Sequence, residues 1–302
     1  MSTEALSGLQ VIGVRYWGSE LAGGDALSLD ALAASGVYEA ASVPVDVVEP
    51  RIADELWAED EIANLGLIGG AIAGDAAAAR HQGSAILMTG GHCVHSTGIL
   101  GGLQDAHGPG ARIGLVWFDA HGDFNTPNTT LTGMLGGMPV AVCAGMAWPR
   151  WREGSHIVAP LPTDRILLVD VRNLDPAEEQ LIRATDTVIA APAPGFPGQD
   201  LGQAVTDLAS RCDMIYLHID LDILDEAFVP DHITAEPDGP NLEQVGAAID
   251  AVMATGKVVA LAVVSIFNLG ESSRATVASG IELVRVCLES WRRHGQPKVA
   301  LK

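Results

Sequence analysis

The feature that most limits how this chain can fold is a repeated pairing of a short, almost wholly apolar run with a segment of helical spacing. The runs QVIGVRYW, SAILMTGG, RIGLVWFDAHGD, RILLVDVRN, DTVIAA, MIYLHIDLD and KVVALAVVSIFN read as strands. Among them, PAEEQLIRAT, LGQAVTDLASRC, LEQVGAAIDAVMATG and ATVASGIELVRVCLESWRRHG carry apolar residues at helical spacing, and the Ala-Gly-rich stretch around residues 66–80 also reads as helical. A strand apolar at nearly every residue must be covered on both faces, and intervening helices let successive strands run parallel. The pattern predicts an α/β fold with a parallel sheet between helical layers. No internal repeat or low-complexity linker interrupts it, so one domain over residues 1–302 is expected.

In such sheets ligands bind beyond the carboxyl ends of the strands, which makes the polar residues there informative. Asp119, His121 and Asp123 follow the RIGLVWF run in D-x-H-x-D spacing, and Asp220 and Asp222 close the MIYLHI run as D-x-D. Any one of these aspartates could be a turn or helix-cap residue. Four carboxylates gathered at one sheet edge, however, would repel one another strongly unless cations lay between them. Carboxylates with an imidazole suit a pair of divalent ions, manganese first, with cobalt, nickel or iron as alternatives.

The charge balance narrows the partners. With 17 basic against 38 acidic residues the net charge is -21, which repels nucleic-acid phosphates and anionic membranes and leaves a small-molecule substrate as the expected partner. No lysine precedes Lys257, so Schiff-base and P-loop chemistry are poor fits. The first 17 residues lack a basic region followed by an apolar run, and no stretch elsewhere reaches spanning length without Gly, Pro or charge, so a cytoplasmic location is expected. Cys143, Cys212 and Cys287 sit in apolar context as expected buried thiols, and Trp148 and Trp151 are expected in surface or interface packing.

The blocks GGHCVHSTG, WFDAHGDFNTPNTT, LVDVRNLDP and HIDLDILDEAFVP together resemble the ordered motifs of the ureohydrolase family, which includes arginase, agmatinase and formimidoylglutamase. The resemblance spans most of the chain. It implies a three-layer αβα fold with a mainly parallel eight-stranded sheet, assembled as a trimer or hexamer. It also implies that Asp119, His121, Asp123, Asp220 and Asp222 hold two metal ions, with Asp123 passing a proton to the departing nitrogen. At the amino-acid end of a substrate it implies contacts from Asn125, Thr132 and Asp175, with Glu178 nearby.

Four departures from the family pattern bear on the substrate. Where the family reads G-G-D-H-S, this chain has Gly90-Gly91-His92-Cys93, which puts Cys93 at the position of a metal-binding histidine and leaves His92 outside the ligand shell, with His95 as the alternative ligand. The second acidic motif begins with His218 instead of serine. Gly136 stands where arginases carry a histidine proton shuttle, and Ser265 stands where a glutamate pairs with the substrate guanidinium. An amino-acid clamp without a guanidinium partner suggests a less basic head group, and Nω-hydroxy-L-arginine is the expected substrate. Another linear amidine, formimino or amide substrate, and a non-catalytic metal-binding role, remain the alternatives. His232 and Glu236, in the loop after the second acidic motif, are expected either to reach the substrate or to face solvent.

Overall fold

In the computed structural model, which describes residues 3–302, eight strands form one sheet: β1 Leu9–Val14, β2 Val45–Val48, β3 Ala85–Gly90, β4 Ile113–Phe118, β5 Ile166–Val169, β6 Val188–Ala190, β7 Met214–Asp220 and β8 Val258–Val264. Their order is β2-β1-β3-β8-β7-β4-β5-β6, and every pairing is parallel. The longer helices are α1 Glu61–His81, α2 Ser96–His107, α3 Pro176–Arg183, α4 Leu201–Arg211, α5 Leu242–Met253 and α6 Arg274–His294.

The three layers follow from the alternation of side chains along each strand. Phe118, Ile219 and Val263 turn to one face, where they pack with Val245 and Ile249 of α5 and Leu283 and Trp291 of α6. Their neighbours Trp117, Tyr216 and Ala262 turn to the other face and meet Ile68 and Ile72 of α1 and Ile99 and Leu103 of α2. Removing one such side chain, as in Ile219→Ala, would cost roughly 2–5 kcal/mol through lost burial and the cavity left behind.

Two elements escape the sequence pattern. β2 is an edge strand, Val-Asp-Val-Val, whose side chains are exposed or half-buried, so it carries no continuous apolar signal. It completes the eight strands that the resemblance implied. α2 reads STGILGGLQDAH, and its glycines hide a helix that tertiary packing demands. A Cβ on Gly98 would sit 2.5 Å from the Gly69 carbonyl oxygen of α1, so the two helices cross backbone against backbone. α1 is long and apolar enough to pass for a membrane span by length and composition, yet more than half of that window is buried inside this fold.

Tryptophan placement corrects one expectation. Trp151 is fully buried, donating its indole N–H to Thr97 at 3.2 Å, and Trp148 is half-buried with its N–H on the Met138 sulfur. The short helix Pro149–Gly154 packs against α1, which turns Trp151 inward while Arg150 stays exposed. Cys143, Cys212 and Cys287 are buried free thiols, as the apolar context implied.

Candidate metal centre

Because every strand runs the same way, the carboxyl ends of β3, β8, β7, β4 and β5, neighbours in that order, open onto one edge. Each delivers its polar residues within a few positions of its last ladder pair. Ile219 pairs with Phe118 and Asp220 with Val264, so Asp119, Asp220 and Ser265 are brought side by side by register alone. The turns that follow are tight. Asp123, Asp170 and Ser265 hold left-handed φ of 49°, 69° and 59°, a strain of about 1–3 kcal/mol each that the surrounding packing must offset. Gly91 (φ 59°) leaves β3 where a Cβ would lie 2.5 Å from the His95 ring, so only glycine lets the chain pass.

The acidic cluster is dense and dry. Asp119, Asp123, Asp220 and Asp222 are all buried. His121 Nδ1 stands 3.2 Å from both Asp119 Oδ1 and Asp222 Oδ2. The Cys93 sulfur lies 2.9 Å from Asp220 Oδ2 and 3.6 Å from Asp119 Oδ2. Ser265 donates its hydroxyl proton to Asp220 Oδ2 at 2.5 Å. Burial, followed by the neighbouring carboxylates, pushes Asp119 and Asp123 well above the usual carboxylate range and Asp220 up to about 7. Burial acts against charge on His121, but its hydrogen bonds to Asp119 and Asp222 outweigh that and raise it to about 12. Burial and the same carboxylates push the Cys93 thiol up.

These shifts describe a cluster that keeps protons because four buried carboxylates share little opposing charge beyond the one imidazole of His121. Divalent cations would do that work better. Two further observations fit such ions. Asp123 Oδ2 and His232 Nε2 are buried with no hydrogen-bond partner, and potential donor atoms of Cys93–Asp119–His218, Asp119–His121–Asp222 and Asp220–Asp222–His232 each lie within 4.8 Å of one another. Carboxylate, imidazole and thiol donors around overlapping centres match a borderline transition-metal pair better than calcium or magnesium.

The other histidines of the GGHCVH block are committed elsewhere. His92 Nε2 accepts the Gly18 N–H at 2.7 Å, while His95 receives the His92 N–H on Nδ1 and sets Nε2 against the Gly18 carbonyl at 2.9 Å. Both rings clamp the Tyr16–Leu21 hairpin, with no nitrogen left over for the cluster.

A cleft of about 470 Å³ rises from the cluster, lined by Cys93, the acidic residues, Asn125, Thr132, Asp175, Glu178, Ser265, Trp17 and Phe267. All the residues expected to hold metal or substrate therefore border one space, but several are already engaged. Glu178 takes the Phe124 N–H at 2.8 Å and the Asp175 N–H at 3.3 Å, stapling α3 to the loop after β4. Asp175 caps α3 with Glu178 and accepts from Asn125 Nδ2 at 3.2 Å and Leu131 N–H at 3.1 Å. Asn125 takes the Thr129 hydroxyl at 2.9 Å. Thr132 stands exposed on the rim.

Four residues matter more than the sequence showed. His232 is buried, not facing solvent, with its ring beside Asp220 and against Phe267. Glu236 turns to His121 and Asn173. His218 stacks on Trp117 with ring centroids 3.4 Å apart and places Nε2 3.3 Å from the Cys93 sulfur. The H-I-D departure was the signal for His218, since β7 and β4 register puts positions 218 and 117 opposite each other. Arg172, in the LVDVRN block, pairs with Asp170 and donates to the carbonyls of Asp222, Ile223, Leu224, Glu236 and Pro237 at 3.0–3.2 Å. It thereby ties the end of the second acidic motif to the loop bearing His232.

Residues 35–289 match the Arginase family. The chain belongs to that family. Among individual relatives, it is 36% identical over 140 residues to the Nω-hydroxy-L-arginine amidinohydrolase of Streptomyces lavendulae, covering 46% of each chain. It is 30% identical over 148 residues to the arginase of Bacillus caldovelox, covering 48% of each. The chain thus spans about half the length of the curated relatives it matches. The crystal structure of Entamoeba histolytica arginase in complex with L-ornithine superposes with a TM-score of 0.80 at 19% identity, over 95% of this chain and 99% of that one, which shows a shared fold.

Proposed function

We propose that this arginase-family chain is a two-cation hydrolase that cleaves a C–N bond of a guanidino-type group, with Nω-hydroxy-L-arginine as the favoured substrate. Cys93, Asp119, His121, Asp123, Asp220 and Asp222 would hold the ions, manganese in this reading. Bound there, the cations would supply Lewis-acid chemistry, a water ionised near neutral pH and aimed at an electrophilic carbon. Asp123 would take up a proton and return it to the leaving nitrogen, a reading supported by its Oδ2 being buried without a partner. Asn125, Thr132 and Asp175 would receive the amino-acid end of the substrate, with Glu178 acting through the Asp175 backbone.

The observation that carries the choice of substrate is the commitment of Ser265. Its hydroxyl proton is spent on Asp220, so the side chain offers a guanidinium oxygen lone pairs but no negative charge. A guanidinium buried without a carboxylate partner would bind poorly. Hydroxylation makes the head group less basic, so its binding depends less on a carboxylate partner at position 265. The similarity to the Streptomyces lavendulae amidinohydrolase supports the same reading. A cytoplasmic location and a homo-trimer or homo-hexamer complete it, the free buried thiols being compatible with a reducing compartment.

Metal analysis coupled to product assays tests the proposal. Two cations per chain with hydroxyurea released from hydroxyarginine, and little urea from arginine, is the expected result. Two cations without product from hydroxyarginine, arginine, agmatine or formiminoglutamate would redirect the substrate assignment, and no bound cation in manganese-replete buffer would overturn the two-cation hydrolase. For the sulfur ligand, Cys93→Ala should lose cation occupancy while Cys93→His raises it; equal occupancy in all three proteins would exclude Cys93 as a ligand.

A further inference from the structure

We infer that His232 is an additional nitrogen ligand of this chain's metal pair, reaching the cation held by Asp220 and Asp222 from the loop after the second acidic motif. The inference rests on the two-cation reading and adds to it a donor that neither the strand-end motifs nor the family resemblance assigns.

The His232 side chain is wholly buried, yet its Nε2 has no hydrogen-bond partner. That atom faces Asp220 Oδ1 at 3.6 Å, beyond a normal hydrogen bond, and a ligand atom from each of His232, Asp220 and Asp222 falls within a 4.8 Å group. A buried, unpaired ring nitrogen is costly and therefore uncommon. Here the cost is removed if the atom meets a cation.

The ring is fixed on its other sides. The His232 backbone N–H donates to the Val229 carbonyl at 2.9 Å, and the ring packs on Phe267 with centroids 4.8 Å apart. Nδ1 lies 3.2 Å from the Thr234 hydroxyl, which donates its own proton to Asp222 Oδ2 at 2.7 Å. With that proton committed, Nδ1–H is the donor to Thr234 and Nε2 keeps its lone pair. The Thr234 backbone N–H approaches Nδ1 at a longer 3.3 Å and would favour the other tautomer, which leaves an N–H facing a carboxylate out of bonding range. Metal-bound imidazoles are usually oriented by an acceptor on the far nitrogen, and the His232–Thr234–Asp222 chain supplies one whose far end is itself part of the acidic cluster.

The consequence is a donor set unlike the strand-end motifs alone would give. Cys93 offers sulfur at one end of the cluster, while His121 and His232 offer two imidazoles at the other, both beside Asp222. Added nitrogen favours cobalt or manganese over magnesium at the Asp222 end.

The test uses the full chain loaded with cobalt(II) and carrying ¹⁵N-labelled histidine. Paramagnetic NMR then counts ring N–H groups shifted strongly by the bound ion. Two such signals in the wild type, with one lost in His232→Phe, support His232 as a ligand. Cobalt titration of that variant should show one of the two bound equivalents weakened by roughly tenfold or more, the scale of even supporting-residue losses around metal sites. Two cobalt ions bound with a single shifted histidine signal would overturn the His232 ligand and leave the two-cation reading standing. An unchanged pair of signals in His232→Phe would do the same. If that variant does not fold, the wild-type count decides alone. Failure of the wild type to take up cobalt or manganese would overturn both readings.

Discussion

The two walls of the cleft are built on opposite terms. On the strand side, Asp119, Asp220 and Ser265 each sit on or one residue beyond a paired sheet position and are buried, and Ser265 bonds Asp220 across strands. On the loop side, residues 127–137 are exposed or half-buried, and the loop is held by short-range hydroxyl contacts. Thr126 N–H goes to Thr129 at 2.7 Å, Gly133 N–H to Thr130 at 3.0 Å and Met134 N–H to Thr132 at 3.1 Å. Strand register cannot move without rebuilding the core, whereas a threonine-rich turn can be reshaped locally. In the proposed function, cation binding would thus rest on the part of the molecule that is hardest to change, and contact with the substrate's amino-acid end through Thr132 on the part that is easiest.

The largest test of that contrast compares one residue from each wall. Asp220→Asn removes a carboxylate that touches Cys93, Ser265 and the Asp222 backbone. It should lose a cation and lower kcat about a hundredfold to a thousandfold, since metal polarisation supplies several kcal/mol. Thr132→Ala should change KM by only about threefold, the scale of one exposed hydrogen bond. Comparable losses from the two variants would erase the distinction.

Metal removal should reveal the strand wall's stored repulsion as a pH dependence. Asp220, raised to about 7, and Asp119 and Asp123, raised too, bind protons more tightly folded than unfolded. Their contribution is present below about pH 4 and is lost as pH rises through the folded values. His121, raised to about 12, runs the same way above about pH 6.5. Asp222 is depressed, so its stabilisation is fully present above about pH 4 and is lost only in more acid solution, outside this range. In chelator, Tm should therefore fall between pH 5 and 8, by an amount reflecting a few kcal/mol. With manganese it should rise over the same range, because the ligands must shed protons to bind. Parallel curves with and without manganese would mean that the carboxylates do not hold cations.

Arg172 joins the walls, and its loss should be felt as stability. Removing a guanidinium that pairs with buried Asp170 and serves five carbonyls leaves buried groups unsatisfied, so Arg172→Ala should cost about 3 kcal/mol in urea unfolding. It should also weaken cation binding, since the His232 loop loses its tie to the 222–224 segment. A stability loss with unchanged cobalt affinity would show that the loop positions itself.

The same contrast explains what the sequence made legible. Six of the eight strands stand out because they are buried throughout, the edge strand β6 is half-buried but still apolar, and only β2, an edge strand with Asp46 among its valines, lacks that signal. Asp119, His121, Asp123, Asp220 and Asp222 stand out because acidic residues at strand ends concentrate charge at known places. His232 does not, because its role depends on a loop folding back over β7, a contact that no local pattern encodes. His218 is visible as a departure, but the stacking on Trp117 that positions it against Cys93 requires the β7–β4 register. Trp151 misleads because its neighbours are basic while its own ring is turned into the core.

The smallest effect concerns the loop wall alone. A Cβ on Gly136 would meet nothing nearer than the Met134 side chain at 3.6 Å, and this glycine is not among those with left-handed φ, so Gly136→His should be tolerated. An imidazole there would stand over the cleft as a proton donor to the leaving group. Well-placed general acids contribute about a hundredfold or more, but an unrefined loop position should give about severalfold. The same alkyl amine departs whether urea leaves arginine or hydroxyurea leaves hydroxyarginine, so the gain should appear with both substrates. Parallel kcat measurements on both at pH 7 to 9, with cation affinity measured beside them, check this. A severalfold rise for both with unchanged cation affinity would mean that the loop wall tunes leaving-group assistance independently of the strand wall. A shifted cation affinity would mean that the histidine acts on the cluster itself, and that the two walls are less separable than their construction implies.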